Sequence, residues 1–123
     1  MKLKLPVFLN KRKSSDHGRL DVVDVPFHRL SAGNLQEVRS CIESRFVGKR
    51  EIVICCSRMK FIDSSGLGLL VELRRKMLSP SIVVLEGITD PVLRELFSLT
   101  RMDQVFYLTS ERSETLMIFD RLC

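Results

Sequence analysis

The chain has 123 residues, of which 45% are hydrophobic and 28% are charged, and its formal net charge is +5. This length suits one domain of the usual ~100–200 residues, and the composition excludes an intrinsically disordered chain. No apolar run approaches the ~20 residues that cross a bilayer, so we predict neither membrane insertion nor a secretion signal.

The first 27 residues predict a β-hairpin, and the first 20 of them carry the whole charge excess. Apolar residues form a strand pattern over 3–9, turn-forming residues follow at 14–18, and β-branched residues return over 20–25. Six of the first 20 residues are basic and one is acidic, whereas the rest of the chain has 14 of each. A solvated terminus explains this basic end better than a binding patch, and we expect no direct contact with nucleic acid.

Helices and strands then alternate. Asn34 begins a helical pattern that Gly48 ends, with Glu37 placed for a capping box. The short apolar run over 51–56 predicts a buried, central strand. The later predicted elements are a helix over 64–78, a strand over 81–85, a helix that Asp90 caps and that runs to about residue 100, a strand over 105–108, and a helix from Ser110 to about Leu122.

This order, ββαβαβαβα, predicts an α/β fold in which a mixed, mostly parallel β-sheet packs against about four α-helices. We expect one domain over residues 1–123. The cysteines at positions 41, 55, 56 and 123 form no C-x-x-C pair, and neither histidine lies at ligand spacing from them. We therefore expect reduced thiols in a cytoplasmic protein, with no metal site and no cofactor.

Residues 61–68, Phe-Ile-Asp-Ser-Ser-Gly-Leu-Gly, join a buried strand to an amphipathic helix. Ligands and partners of open α/β sheets bind at this edge, and the first-turn N–H groups of a helix suit an anion. Three interpretations follow. A serine of this segment is a phosphate acceptor; or Asp63 is an ordinary N-cap while Gly66 and Gly68 let the helix pack tightly on the sheet; or the glycines belong to a nucleotide loop, with Glu86 about 20 residues later.

The same eight residues resemble the signature of the STAS domain, specifically that of the bacterial anti-sigma factor antagonists. Residues 30–42 resemble the first helix region of that family, and residues 82–106 resemble its second long strand, the following helix and the Leu-Thr-Gly-Leu-x-x-x-Phe passage. The resemblance covers about residues 3–122. It implies a single STAS-like domain with a regulatory loop at 61–68.

The resemblance also implies a function. The phosphoacceptor is the serine after the aspartate, Ser64, with Ser65 as the second choice. The partner is an anti-sigma factor with serine kinase activity, which binds the unmodified form, and a serine phosphatase resets the switch. The antagonist itself is not an enzyme and has no catalytic residue. The alternative is a STAS module of another assembly, such as a lipid-transport accessory subunit or a larger signalling complex.

The chain departs from the family pattern before the first helix, where residues 28–31 are His-Arg-Leu-Ser and Ser31 replaces the usual aspartate. Arg29 and His28 could pair with a phosphate on Ser64. The residues predicted to bind the partner are Asp63, Ser64, Ser65, Gly66, Leu67, Ser31 and Arg29.

Overall fold

Strands and helices alternate along residues 20–122, the part of the chain that the computed structural model describes. The strands are β1 Val22–Asp24, β2 Arg29–Leu30, β3 Glu51–Cys55, β4 Phe61–Ile62, β5 Ile82–Glu86 and β6 Tyr107–Thr109. The α-helices are α1 Leu35–Ile42, α2 Ser64–Arg75, α3 Pro91–Leu99 and α4 Arg112–Leu122, and 3₁₀ helices lie at Glu43–Arg45 and Met102–Gln104.

Four of these strands form one sheet in the order β1, β3, β5, β6, and each of their pairings is parallel. β3 lies between β1 and β5, as predicted for the apolar run over 51–56. β2 and β4 form a second, two-stranded parallel sheet. For residues 20–122, the predicted α/β fold with a mostly parallel sheet and four α-helices is therefore confirmed.

The alternation of side chains along β3 divides the core between the two faces of the sheet. Ile52 and Ile54 pack with buried residues of α1, α2 and α3, whereas Val53 packs with Phe119 of α4. Three helices thus cover one face and α4 lies on the other. Because the strand order advances in one direction from β1 to β6, right-handed crossovers place α1, α2 and α3 on the same face.

The predicted hairpin over 1–27 is described only in its last part. β1 lies within the predicted strand over 20–25 and pairs with β3. The predicted strand over 3–9 and the turn at 14–18 lie outside the described residues.

Several predicted boundaries need correction. The last strand begins at Tyr107 rather than at residue 105, because residues 102–104 form a 3₁₀ helix before it. α1 ends at Ile42 rather than near Gly48, and the chain continues as a 3₁₀ helix to Arg45. α2 ends at Arg75 instead of residue 78.

Among the predicted helix caps, Asp90 and Asn34 have different outcomes. Asp90 caps α3 as predicted, since its side chain accepts a hydrogen bond from the Val92 N–H at 2.9 Å. Asn34 stands at the N-cap position of α1, but its side chain makes no cap hydrogen bond. Instead it accepts from the Ser31 N–H at 3.0 Å and donates to the Arg29 carbonyl at 2.7 Å. Asn34 therefore stabilises the turn after β2.

Candidate functional site

The small sheet of β2 and β4 positions the loop that leads into α2. Arg29 pairs with Phe61, and Leu30 pairs with Ile62. The Asp63 N–H continues this ladder, because it donates to the Leu30 carbonyl at 3.2 Å. The residue before Ser64 is thus held by main-chain hydrogen bonding to β2.

Asp63 is the N-cap of α2. Its Oδ1 accepts from the Gly66 N–H at 2.9 Å, and its Oδ2 accepts from the Ala32 N–H at 3.2 Å. These hydrogen bonds, that of Gly66 above all, hold the pKa of Asp63 below its ordinary value. The carboxylate is therefore charged at neutral pH, and it ties the start of α2 to the residues that follow β2.

The two serines of the loop differ in exposure. Ser64, the first residue of α2, is exposed, whereas Ser65 is half-buried. Within residues 20–122, neither hydroxyl makes a hydrogen bond, since Asp63 rather than a serine caps the helix. The Ser64 hydroxyl is thus accessible and is not needed to hold the loop together.

The two glycines of the loop also differ. Gly66 is buried, and a Cβ added there would overlap the Leu30 carbonyl oxygen and lie 2.8 Å from Ile62 Cγ1. Gly68 is exposed, and a Cβ added there would meet no atom within 4 Å. The predicted role in tight packing is confirmed for Gly66 and is wrong for Gly68.

A groove of about 630 Å³ crosses α2 beside Ser64. Its lining extends from Leu35 and Arg39 of α1, over Ser64 and Gly68, to Met102. Because Gly68 has no side chain, this position of α2 does not fill the groove. The exposed serine therefore lies on an open surface large enough for part of another protein to occupy.

The family model described as the STAS domain matches residues 21–116. This chain belongs to the STAS domain family. The match includes both glycines, both serines and Asp63 of the loop. No match was found among the curated proteins or among the solved structures.

The remaining predicted site residues of this STAS domain lie at different depths. Ser31, Gly66 and Leu67 are buried in the described part of the chain, and the last two belong to the loop itself. Arg29 is exposed, with its guanidinium 5.5 Å from the centre of the Phe61 ring. That all of these residues contact a partner stays a prediction.

A second polar cluster was missed in the sequence. Glu86, at the end of β5, is buried, and its carboxylate accepts from Arg112 Nε at 2.7 Å and from Thr115 Oγ1 at 2.8 Å. Arg112 also donates to the second carboxylate oxygen at 3.1 Å. The sequence offered no local signal, because Glu86 and Arg112 are 26 positions apart.

This cluster disfavours the nucleotide interpretation of the loop. A ribose would need a free carboxylate at Glu86, but that carboxylate already binds α4 through Arg112 and Thr115. At the start of α2, Asp63 Oδ1 already accepts from the Gly66 N–H, and the negative charge of this carboxylate would repel a pyrophosphate bound there. Both features disfavour a dinucleotide at this loop.

Residues 20–122 contain no group of three or more His, Cys, Asp and Glu side chains arranged to hold a metal ion. Their helices are all too short or too polar to cross a bilayer.

Proposed function

We propose that this STAS domain is an anti-sigma factor antagonist. It binds an anti-sigma factor that has serine kinase activity through the face around Ser64, and phosphorylation of Ser64 by that partner ends the interaction. A serine phosphatase restores the binding form. The domain catalyses no reaction itself. The observation that carries the proposal is the exposed Ser64 hydroxyl, which makes no hydrogen bond within residues 20–122 and lies at the edge of an open groove.

Phosphorylation at this position would alter the surface and leave the fold in place. It adds about −1.5 to −2 charges and three acceptor oxygens at pH 7. The phosphate would stand next to the charged Asp63 carboxylate, which already takes the Gly66 N–H. A partner that covers this site would have to bury like charges together, which costs several kcal/mol at an interface.

The structure favours Ser64 over Ser65 as the acceptor because a kinase must bring the hydroxyl to its own nucleotide. Ser64 is exposed, whereas Ser65 is half-buried against the neighbouring elements. Both serines line the same groove, and Ser64, the more exposed of the two, is the more accessible acceptor.

The proposal is tested by capture from a native lysate followed by phosphorylation. Immobilised wild-type protein and the variants Ser64→Ala, Ser64→Asp and Ser65→Ala are used as baits, with Ser98→Ala on α3 as an exposed control. The captured proteins are incubated with ATP, and each bait is analysed by intact mass and peptide mapping.

We expect the wild type, Ser65→Ala and Ser98→Ala to gain one phosphate on Ser64. Ser64→Ala should retain the partner and gain none, and Ser64→Asp should lose the partner. If the Ser64→Ala bait were phosphorylated as fully as the wild type, the acceptor would lie elsewhere.

A further inference from the structure

The surface beside β2 and β4 concentrates positive charge. Residues 26–30 and 57–62 contain no aspartate or glutamate. His28, Arg29, Arg58 and Lys60 are all exposed, and within residues 20–122 none of them forms an ion pair. We call these four residues, together with Phe61, the basic patch.

Main-chain hydrogen bonds hold the two segments of the basic patch side by side. The His28 carbonyl accepts from the Lys60 N–H at 2.6 Å and from the Phe61 N–H at 3.2 Å. Phe61 retains 46% exposure while the Arg29 guanidinium lies over its ring. Cationic and apolar surface are therefore presented together on a hydrogen-bonded scaffold.

The positive charge of the basic patch is a local feature. From residue 21 onwards the chain has equal numbers of basic and acidic residues, so the patch reflects their placement and not a general excess. The nearest carboxylate along the chain, Asp63, accepts hydrogen bonds from the Gly66 and Ala32 N–H groups. Asp63 stays charged, but these main-chain hydrogen bonds hold its carboxylate at the start of α2 and not in an ion pair with the patch.

We propose that the basic patch docks an acidic polypeptide segment that also carries apolar side chains. Charge complementarity selects the acidic segment, and the exposed edge of Phe61 selects the apolar side chain. That this segment belongs to the partner of the Ser64 switch rests on the proposed function, since β4 runs directly into Asp63 and Ser64. A phosphate on Ser64 would compete with the segment for the same positive field.

The observations favour a polypeptide over two other anionic partners. Specific DNA-binding proteins commonly neutralise about 6–10 phosphates, more than three permanent charges supply, and a stacking base would find Arg29 already over the Phe61 ring. An anionic membrane contributes about 1 kcal/mol per basic residue, so three residues without an inserted helix would bind it weakly.

The test is an NMR titration of the ¹⁵N-labelled full chain. The probe is a short synthetic peptide rich in glutamate that carries one leucine and one phenylalanine, and its control is the same peptide with glutamine for glutamate. Oligothymidylate and phosphatidylcholine vesicles containing phosphatidylserine are titrated in parallel. The Arg29→Glu/Lys60→Glu variant reverses the charge at two positions of the patch, and Arg50→Glu, a charge reversal at an exposed residue just before β3 and outside the patch, is the control.

We expect the acidic peptide to shift the amides of 28–30 and 58–61, and its glutamine analogue to shift none. Arg29→Glu/Lys60→Glu should weaken the binding about tenfold or more, equivalent to about 1.4 kcal/mol. Arg50→Glu should stay within about twofold of the wild type.

Four results would overturn the proposal: absence of shifts, shifts confined to residues 1–20, binding that Arg29→Glu/Lys60→Glu leaves unchanged, and tighter binding of oligothymidylate or vesicles at the patch. The titration does not depend on phosphorylation. The titration can therefore succeed when Ser64 is not phosphorylated, and Ser64 can be phosphorylated when the titration fails. The two experiments thus test the two proposals separately.

Discussion

Gly66 packs against the main-chain carbonyl of Leu30, so closely that a Cβ at position 66 would overlap the carbonyl oxygen. The same carbonyl accepts the Asp63 N–H at 3.2 Å. One peptide group of β2 therefore fixes both the residue before Ser64 and the first turn of α2. This contact sets the position of the serine on the surface.

The contrast between Gly66 and Gly68 gives a matched pair of substitutions. Gly66→Ala should lower the free energy of unfolding by about 1–3 kcal/mol, because main-chain atoms of β2 have to shift. Gly68→Ala should raise it by about 0.5–1 kcal/mol, because an exposed helical glycine is replaced in open space. Urea denaturation of the two variants measures both values. Equal effects of the two substitutions would contradict the packing described for Gly66.

Filling the groove tests whether a partner uses it. Gly68→Leu places an apolar side chain where no atom lies within 4 Å of the Cβ, so the fold should be retained. We expect partner capture to fall strongly while the melting temperature stays close to that of the wild type. Ser98→Leu, on the exposed surface of α3, is the control and should capture normally. Normal capture by Gly68→Leu would show that the partner does not enter the groove.

Much of the fold could be predicted because its elements have strong local signals. The β-branched runs of β3 and β5 and the amphipathic pattern of α2 extend over enough residues to show their periods. β2 and β4 have two residues each, too few for any period, so both were missed. The sequence also could not separate Gly66 from Gly68, since only the tertiary approach of Leu30 distinguishes them.

The ion pair of Glu86 and Arg112 should make stability depend on pH. Burial raises the pKa of Glu86, but the hydrogen bonds from Arg112 and Thr115 outweigh it and leave the pKa below its ordinary value. A lowered carboxylate pKa stabilises the folded state above the ordinary value of 4.5, and this stabilisation is lost as the pH falls through the folded-state pKa.

Arg112→Met tests that ion pair. It should lower the free energy of unfolding at pH 7 by about 1–3 kcal/mol, because a buried carboxylate loses its cationic partner. The loss of stability below the ordinary pKa of 4.5 should also become smaller or reverse, because without Arg112 burial raises the folded-state pKa of Glu86 toward or above its unfolded value. Urea denaturation between pH 3 and pH 8 measures both effects, with Arg121→Met on the same helix as the control. An unchanged pH profile would contradict this account of Glu86.

The described cysteines should react at different rates. Cys41 is exposed, whereas Cys56 is buried and its pKa is raised, chiefly by that burial. Because the thiolate is the nucleophile, iodoacetamide should alkylate Cys41 in the folded chain and Cys56 only after unfolding. Peptide mapping after timed alkylation checks this order. Rapid labelling of Cys56 under native conditions would contradict the burial of this residue directly after β3.

The phosphorylation state of the exposed Ser64 hydroxyl tests the proposed switch most directly. The full chain is purified from its native cells with and without phosphatase treatment, and its intact mass and phosphopeptides are compared. We predict one phosphate, on Ser64, that phosphatase removes. A phosphate found only on Ser65 or outside the loop would contradict the central claim.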